Sequence, residues 1–145
     1  MTTPLEVAKL APVQYQGLFA VSRALGEGEI PAALKHLVDL RVSQLNGCAF
    51  CINLHTTEAL KGGEPKSRTD AVADWRASGA FTDAERAALA YAEALTRCDE
   101  PEIAAASRDL AAHFTHKQVA ELTLVIGVIN AWNRVGIAAH AVAFA

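Results

Sequence analysis

Ser43-Gln44-Leu45-Asn46-Gly47-Cys48-Ala49-Phe50-Cys51-Ile52-Asn53-Leu54-His55 is the stretch that decides the fold. Asn46-Gly47 breaks the chain between two helical segments. The first runs from Pro31, well suited to a first helical turn, to about Leu45. Leu34, Leu37, Val38 and Leu45 lie along one stripe of it. The second runs from about Cys48 to Lys61, where Gly62-Gly63 ends it. So short a connection predicts a helical hairpin with two thiols at its bend.

The same helical period extends outward from the hairpin. Pro12 to Leu25 reads as a helix stopped by Gly26 and Gly28. Glu64 to Ser78 is a polar connector with a short helix around Asp70 to Arg76. Thr82-Asp83-Ala84-Glu85 is a capping-box pattern, and the helix it opens carries Ala84, Ala88, Tyr91, Ala92 and Leu95 on one face. Pro101 starts a helix ending near His113. Thr115-His116-Lys117-Gln118 opens the most apolar helix, Val119 to about Asn133, with a kink expected before a last segment, Val135 to Ala143. The expectation is an all-α bundle of six to seven helices, no strand, and one domain over residues 1–145.

Composition narrows the function. With 52% hydrophobic and 20% charged residues, 145 residues can bury a sizeable core. The net charge of −3 and the lack of a basic cluster argue against a nucleic-acid partner. MTTPLEVAKLAP has no charged n-region followed by an apolar run, so no signal peptide is expected. The run Leu124 to Ile129 is too short to span a bilayer, so no membrane partner is expected either. Three cysteines do not make a disulfide scaffold, and in a reducing compartment a CxxC pair points to catalysis or metal binding. The expected location is cytoplasmic.

Cys48 and Cys51 stand one helical turn apart at a helix start, where unpaired N–H groups and the helix dipole favour an anion. His55 is four residues beyond Cys51, hence its neighbour on the helix surface, and neutral imidazole can take up the thiol proton. At about 1.5 Å per residue, His55 lies roughly 10 Å below Cys48 and His36 roughly 13 Å below Leu45. The two histidines therefore reach similar depth on adjacent helices, with Asp39 near that level. A relay from Cys51 through His55 to His36 or Asp39 follows. The chemistry this suggests is a thiol peroxidase cycle: one thiolate becomes a sulfenic acid, the other condenses with it to a disulfide, and a dithiol reopens the pair. Attack falls to Cys51, beside His55. Resolution and exchange fall to Cys48, on the expectation that the helix end is the more open.

At these residues the chain resembles the alkylhydroperoxidase D-like (AhpD-like) branch of the carboxymuconolactone decarboxylase superfamily. That signature has an acidic residue, CxxC about twelve positions later, then a histidine after three more. Ile129-Asn130-Ala131-Trp132-Asn133-Arg134 is similar to the late helix of the group, and the likeness extends roughly over Pro31 to Ala143. The resemblance implies an all-α fold, a homo-oligomer (trimer or hexamer), no metal or organic cofactor, and reduction of a small hydroperoxide at the expense of a dithiol or disulfide reductant protein. By it, the catalytic set is Cys48, Cys51, His55 and the relay position, where this chain has His36 in place of the acid. Asp39 could restore the missing charge.

Rival readings exist. CxxC and a histidine can form part of a zinc site, which needs a fourth ligand from His36, Cys98 or His140, none at a characteristic spacing. Lactone decarboxylation, known in the wider superfamily, does not need a CxxC. A non-catalytic redox module is the third class. Among single residues, Cys98 reads as a small packing residue, His113 and His116 as surface caps, and His140 as a core or interface histidine. Arg41, on the apolar stripe, calls for an ion-pair partner on another helix. Trp75 and Trp132 read as core or subunit-contact residues. Asn130 and Asn133 could line a cavity or bond across an interface. Glu58 reads as a solvated glutamate, although it shares the His55 face.

Overall fold

The structure, a computed structural model, describes residues 3–144. In order it comprises β1 (Thr3–Pro4), α1 (Val7–Leu10), α2 (Pro12–Gly26), α3 (Ala32–Asn46), α4 (Ala49–Lys61), α5 (Lys66–Ala71), a 3₁₀ segment (Val72–Ala77), α6 (Asp83–Arg97), α7 (Glu100–Leu110), α8 (His116–Ala141) and β2 (Ala143–Phe144). The fold is all-α, as expected. The six longer helices fall where the sequence puts them, the short helix expected around Asp70 to Arg76 is met by the end of α5 and the 3₁₀ segment, and α1 is a short addition.

Two expectations fail. Antiparallel β1 and β2 pair Thr3 with Phe144 and Pro4 with Ala143, tying the two ends of the chain together. Two residues are too few to show strand alternation in sequence. The expected kink near residue 134 does not occur: α8 runs unbroken for 26 residues, its glycines adopting ordinary helical backbone. No proline lies within it to force a break.

Local chemistry explains the boundaries. Gly47 at φ 68° ends α3 in the left-handed region, and Cys48 N–H closes back on the Ser43 carbonyl at 3.2 Å. Both capping boxes form, Thr82 with Glu85 and Thr115 with Gln118. One core cluster joins α3, α6 and α8 through Leu34, Val38, Val42, Ala88, Tyr91, Ala92, Leu122, Ile126 and Ile129. A second gathers Leu37, Leu40, Val72, Trp75, Phe81 and Leu89 on the other side of α3. Helix α3 is thus buried on two sides, whereas Leu45, past the core at its end, is exposed.

Arg41 finds the partner its position demands. Its Nε donates to Glu93 Oε1 at 2.7 Å, and Glu93 also accepts from Trp75 Nε1 at 2.9 Å and from Arg76. Burial alone would raise the Glu93 pKa, but the hydrogen bonds from Arg76, Trp75 and Arg41 outweigh it and hold the carboxyl below its ordinary value.

Cys98 does not pack. It ends α6 in the left-handed region at φ 55° and is exposed. That backbone position turns its side chain out of the core.

Candidate active site

Cys48 is the N-cap of α4, its Sγ accepting from Cys51 N–H at 3.3 Å. Cys51 lies in the first turn. The two sulfurs are bonded, at 2.09 Å, with Cα atoms 5.2 Å apart. The hairpin bend therefore presents the pair one turn apart, as the spacing requires.

The expected difference in openness is reversed. Both cysteines are buried, but Cys51 lines a cavity of about 590 Å³ and Cys48 is not among its lining residues. An N-cap residue sits at the junction of two helices, and here α8 covers that junction. Gly136 of α8 lies so close that a Cβ there would be 3.2 Å from Cys48 Sγ and 3.3 Å from Cys51 Sγ.

The cavity, open to solvent on one side, is lined by residues of α1, α2, α3, α4 and α8. Tyr15, Phe19, Phe50, Leu54, Val128, Ile129 and Trp132 make most of its wall apolar. Polar groups gather at one side: Lys35, Asp39, His55 and Glu58. Tyr15 packs edge-on against Trp132, whose Nε1 donates to Ser22 Oγ at 2.7 Å. Trp132, read as a core or contact residue, is thus part of the cavity wall. His140 lies at its rim beside Phe50, exposed.

His55 meets two carboxylates. Its Nδ1 is 3.1 Å from Glu58 Oε2 and 3.8 Å from Asp39 Oδ2. An ionised carboxylate only accepts, so Nδ1 of the neutral ring carries the proton and Nε2 is left with a free lone pair. Glu58 is therefore engaged with His55 rather than only solvated. Its signal in sequence was the three-residue spacing on one helical face.

Asp39 is buried and accepts from Lys35 Nζ at 2.7 Å. His36 stands one step further out. It does not line the cavity, and its Nδ1 is 3.8 Å from the same Glu58 oxygen. Among the described residues that buried Nδ1 has no hydrogen-bond partner. The four expected catalytic residues thus lie along one path, Cys48–Cys51–His55–His36, but Glu58 joins the last two.

A buried amide network holds α8 in place behind the thiols. Asn46 Nδ2 donates to Asn130 Oδ1 and Asn133 Oδ1, each at 2.9 Å, and Asn133 Nδ2 donates to Ser43 Oγ at 3.0 Å. Asn130 and Asn133 therefore bond within the chain, across α3 and α8, rather than facing the cavity. Gly136 follows Asn133 by three residues, so the network sets its position over the sulfurs. Among the described residues no group of three or more His, Cys, Asp or Glu side chains is arranged to hold a metal ion.

Comparison with known proteins gives a consistent picture. The profile of the "Carboxymuconolactone decarboxylase family" matches residues 14–94. The chain is 30% identical over 139 residues to the uncharacterized protein YdfG of Bacillus subtilis (strain 168), covering 95% of each. It is 32% identical over 131 residues to the uncharacterized protein YnjA of Escherichia coli (strain K12), covering 83% of this chain and 72% of that one. Among solved structures, a protein of unknown function from Agrobacterium tumefaciens, described as a candidate antioxidant defence protein AhpD, superposes with a TM-score of 0.91. It is 30% identical, over 97% of both chains.

Proposed function

This chain belongs to the carboxymuconolactone decarboxylase family, in its AhpD-like branch, and on that premise we propose that it is a dithiol peroxidase that reduces organic hydroperoxides. The observation that carries the reading is the placement of Cys51. Cys51 and, one helical turn on, His55 both line the largely apolar cavity, and the Cys51 sulfur is bonded to a second sulfur held at the helix N-cap.

The cycle starts from the reduced pair. His55 Nε2 takes the Cys51 proton, and the thiolate attacks the distal oxygen of ROOH. The O–O bond breaks, Cys51 becomes the sulfenic acid, and the alkoxide takes the proton back from His55 and leaves as ROH. Cys48, ionised and stabilised by Cys51 N–H and the start of α4, then attacks the Cys51 sulfur. The proton given up by Cys48, carried by His55, passes to the sulfenic oxygen, which leaves as water as the disulfide closes. A dithiol reductant attacks the sulfur of Cys51, the cysteine that lines the cavity, and Cys48 departs as the thiolate; the second reductant thiol then attacks its own sulfur in the mixed disulfide and releases Cys51, the reductant's two protons ending on Cys48 and Cys51. Exchange therefore also falls to Cys51, not to Cys48 as its position in sequence suggested. The net reaction is ROOH plus dithiol to ROH, water and disulfide.

His55 is the proton acceptor, Glu58 and Asp39 orient it, and His36 acts only through Glu58. The carboxylates stand in for the acid that position 36 lacks. The apolar wall favours an organic hydroperoxide over hydrogen peroxide. Exposed Phe19, Phe50 and Leu54, which line the cavity, support association of copies, and the family resemblance suggests a trimer or hexamer. A reducing compartment, the cytoplasm, suits the cycle. Neither a metal nor an organic cofactor enters it.

The test is consumption of cumene hydroperoxide with a dithiol donor, comparing the parent with Cys48→Ser and Cys51→Ser. Turnover in the parent alone supports the reading. Turnover in both variants equal to the parent's, or none in the parent, sinks it.

A further inference from the structure

Gly136 has no conformational reason to be glycine. It lies inside α8 with ordinary helical backbone, where glycine is a poorer helix former than alanine. Gly127, in the same helix, is exposed, and a Cβ there would meet nothing within 4 Å. A Cβ on Gly136 would instead press on both sulfurs at once, 3.2 Å and 3.3 Å away. Those distances are shorter than carbon and sulfur tolerate without displacement.

Away from the cavity the pair has little other room. Cys48 and Cys51 are 2% and 5% exposed, and Cys48 is held at the N-cap by Cys51 N–H. Reduction adds two protons and two electrons, and the sulfurs must part from bonding to van der Waals separation, by more than about 1 Å. The dithiol is therefore the bulkier state of the site. Gly136 faces both sulfurs and also lines the cavity toward which Cys51 can swing.

We infer that Gly136 is a positioning residue for the thiol–disulfide step: its missing side chain is the space into which the pair expands when reduced. A methyl group there penalises the dithiol more than the disulfide. This inference rests on the pair cycling between the two states, as proposed above. It says nothing of the oxidant.

The experiment is equilibration of the purified protein with reduced and oxidised dithiothreitol, with the thiol fraction read by alkylation and mass spectrometry. Gly136→Ala should shift the equilibrium toward the disulfide by about tenfold or more, and Gly127→Ala should leave it where the parent has it. An unchanged equilibrium in Gly136→Ala, a shift toward the dithiol, or an equal shift in Gly127→Ala overturns the inference. If Gly136→Ala does not fold, it is rebuilt with both Cys48→Ala and Cys51→Ala. Recovery of folding there supports the steric account, and continued failure overturns it. No peroxide is present, so a parent protein that consumes none would end the peroxidase reading and leave this result standing.

Discussion

Glu58 Oε2 lies 3.1 Å from Nδ1 of His55 and 3.8 Å from Nδ1 of His36, so a single carboxylate oxygen joins the two histidines that α3 and α4 bring to the same depth. His55 is the one of the two that lines the cavity with Cys51. The proposed relay would therefore run through a residue of the CxxC helix itself.

Removing that carboxylate should slow turnover while leaving the fold intact. Glu58→Gln is expected to lower kcat/KM for organic hydroperoxide by about tenfold, because the imidazole loses the partner that fixes its tautomer. Asp39→Asn, at 3.8 Å, should have a smaller effect, and the double variant a larger one than either. His36→Ala should change the rate by less than about threefold, since its contact to His55 passes through Glu58. Steady-state kinetics across pH decide this. No effect of Glu58→Gln and Asp39→Asn together would remove the carboxylates from the mechanism.

The two sulfurs should give different trapped products. After one equivalent of hydroperoxide, Cys48→Ser should carry a sulfenic acid on Cys51 that a dimedone-type reagent captures. The Cys51→Ser variant should show little modification of Cys48, which does not reach the cavity. Tandem mass spectrometry reads the site, and a sulfenic acid on Cys48 with full peroxide consumption reverses the roles.

Cavity shape should separate substrates. Ala139 lines the apolar side. Ala139→Phe is expected to raise KM for cumene hydroperoxide by roughly tenfold, about 1.4 kcal/mol of lost binding, with little change for hydrogen peroxide. An equal loss for both would mean that the cavity does not hold the substrate's apolar part.

Glu93 makes a prediction about acid stability. Its folded pKa lies below the ordinary carboxylate value, so the native state binds the proton less readily than the unfolded chain. The stabilisation it gives is full above the unfolded pKa and is lost as pH falls through the lowered native one. Urea unfolding of the parent from pH 7 to pH 3 should show that loss, and Glu93→Gln should show a shallower dependence. At pH 7, Glu93→Ala should destabilise by about 3–5 kcal/mol, because it strands the Arg41 guanidinium.

Sequence alone determined the elements and the thiol hairpin. Asn46-Gly47, the two capping boxes and the apolar stripes act within a few residues of themselves, so their outcome is set locally wherever the chain lies. The spacing of Cys48, Cys51 and His55 belongs to the same class, since one helix places all three. Arg41 announced its need for a partner through its place on a buried stripe, but not that the partner would be Glu93, 52 residues on. Tertiary structure decided the rest: which sulfur faces the cavity, the carboxylate between His55 and His36, the pairing of Thr3 with Phe144, and the contact of Gly136 with both sulfurs. Each depends on how separate helices stack, and side-chain period fixes the face a helix buries but not what will be waiting there.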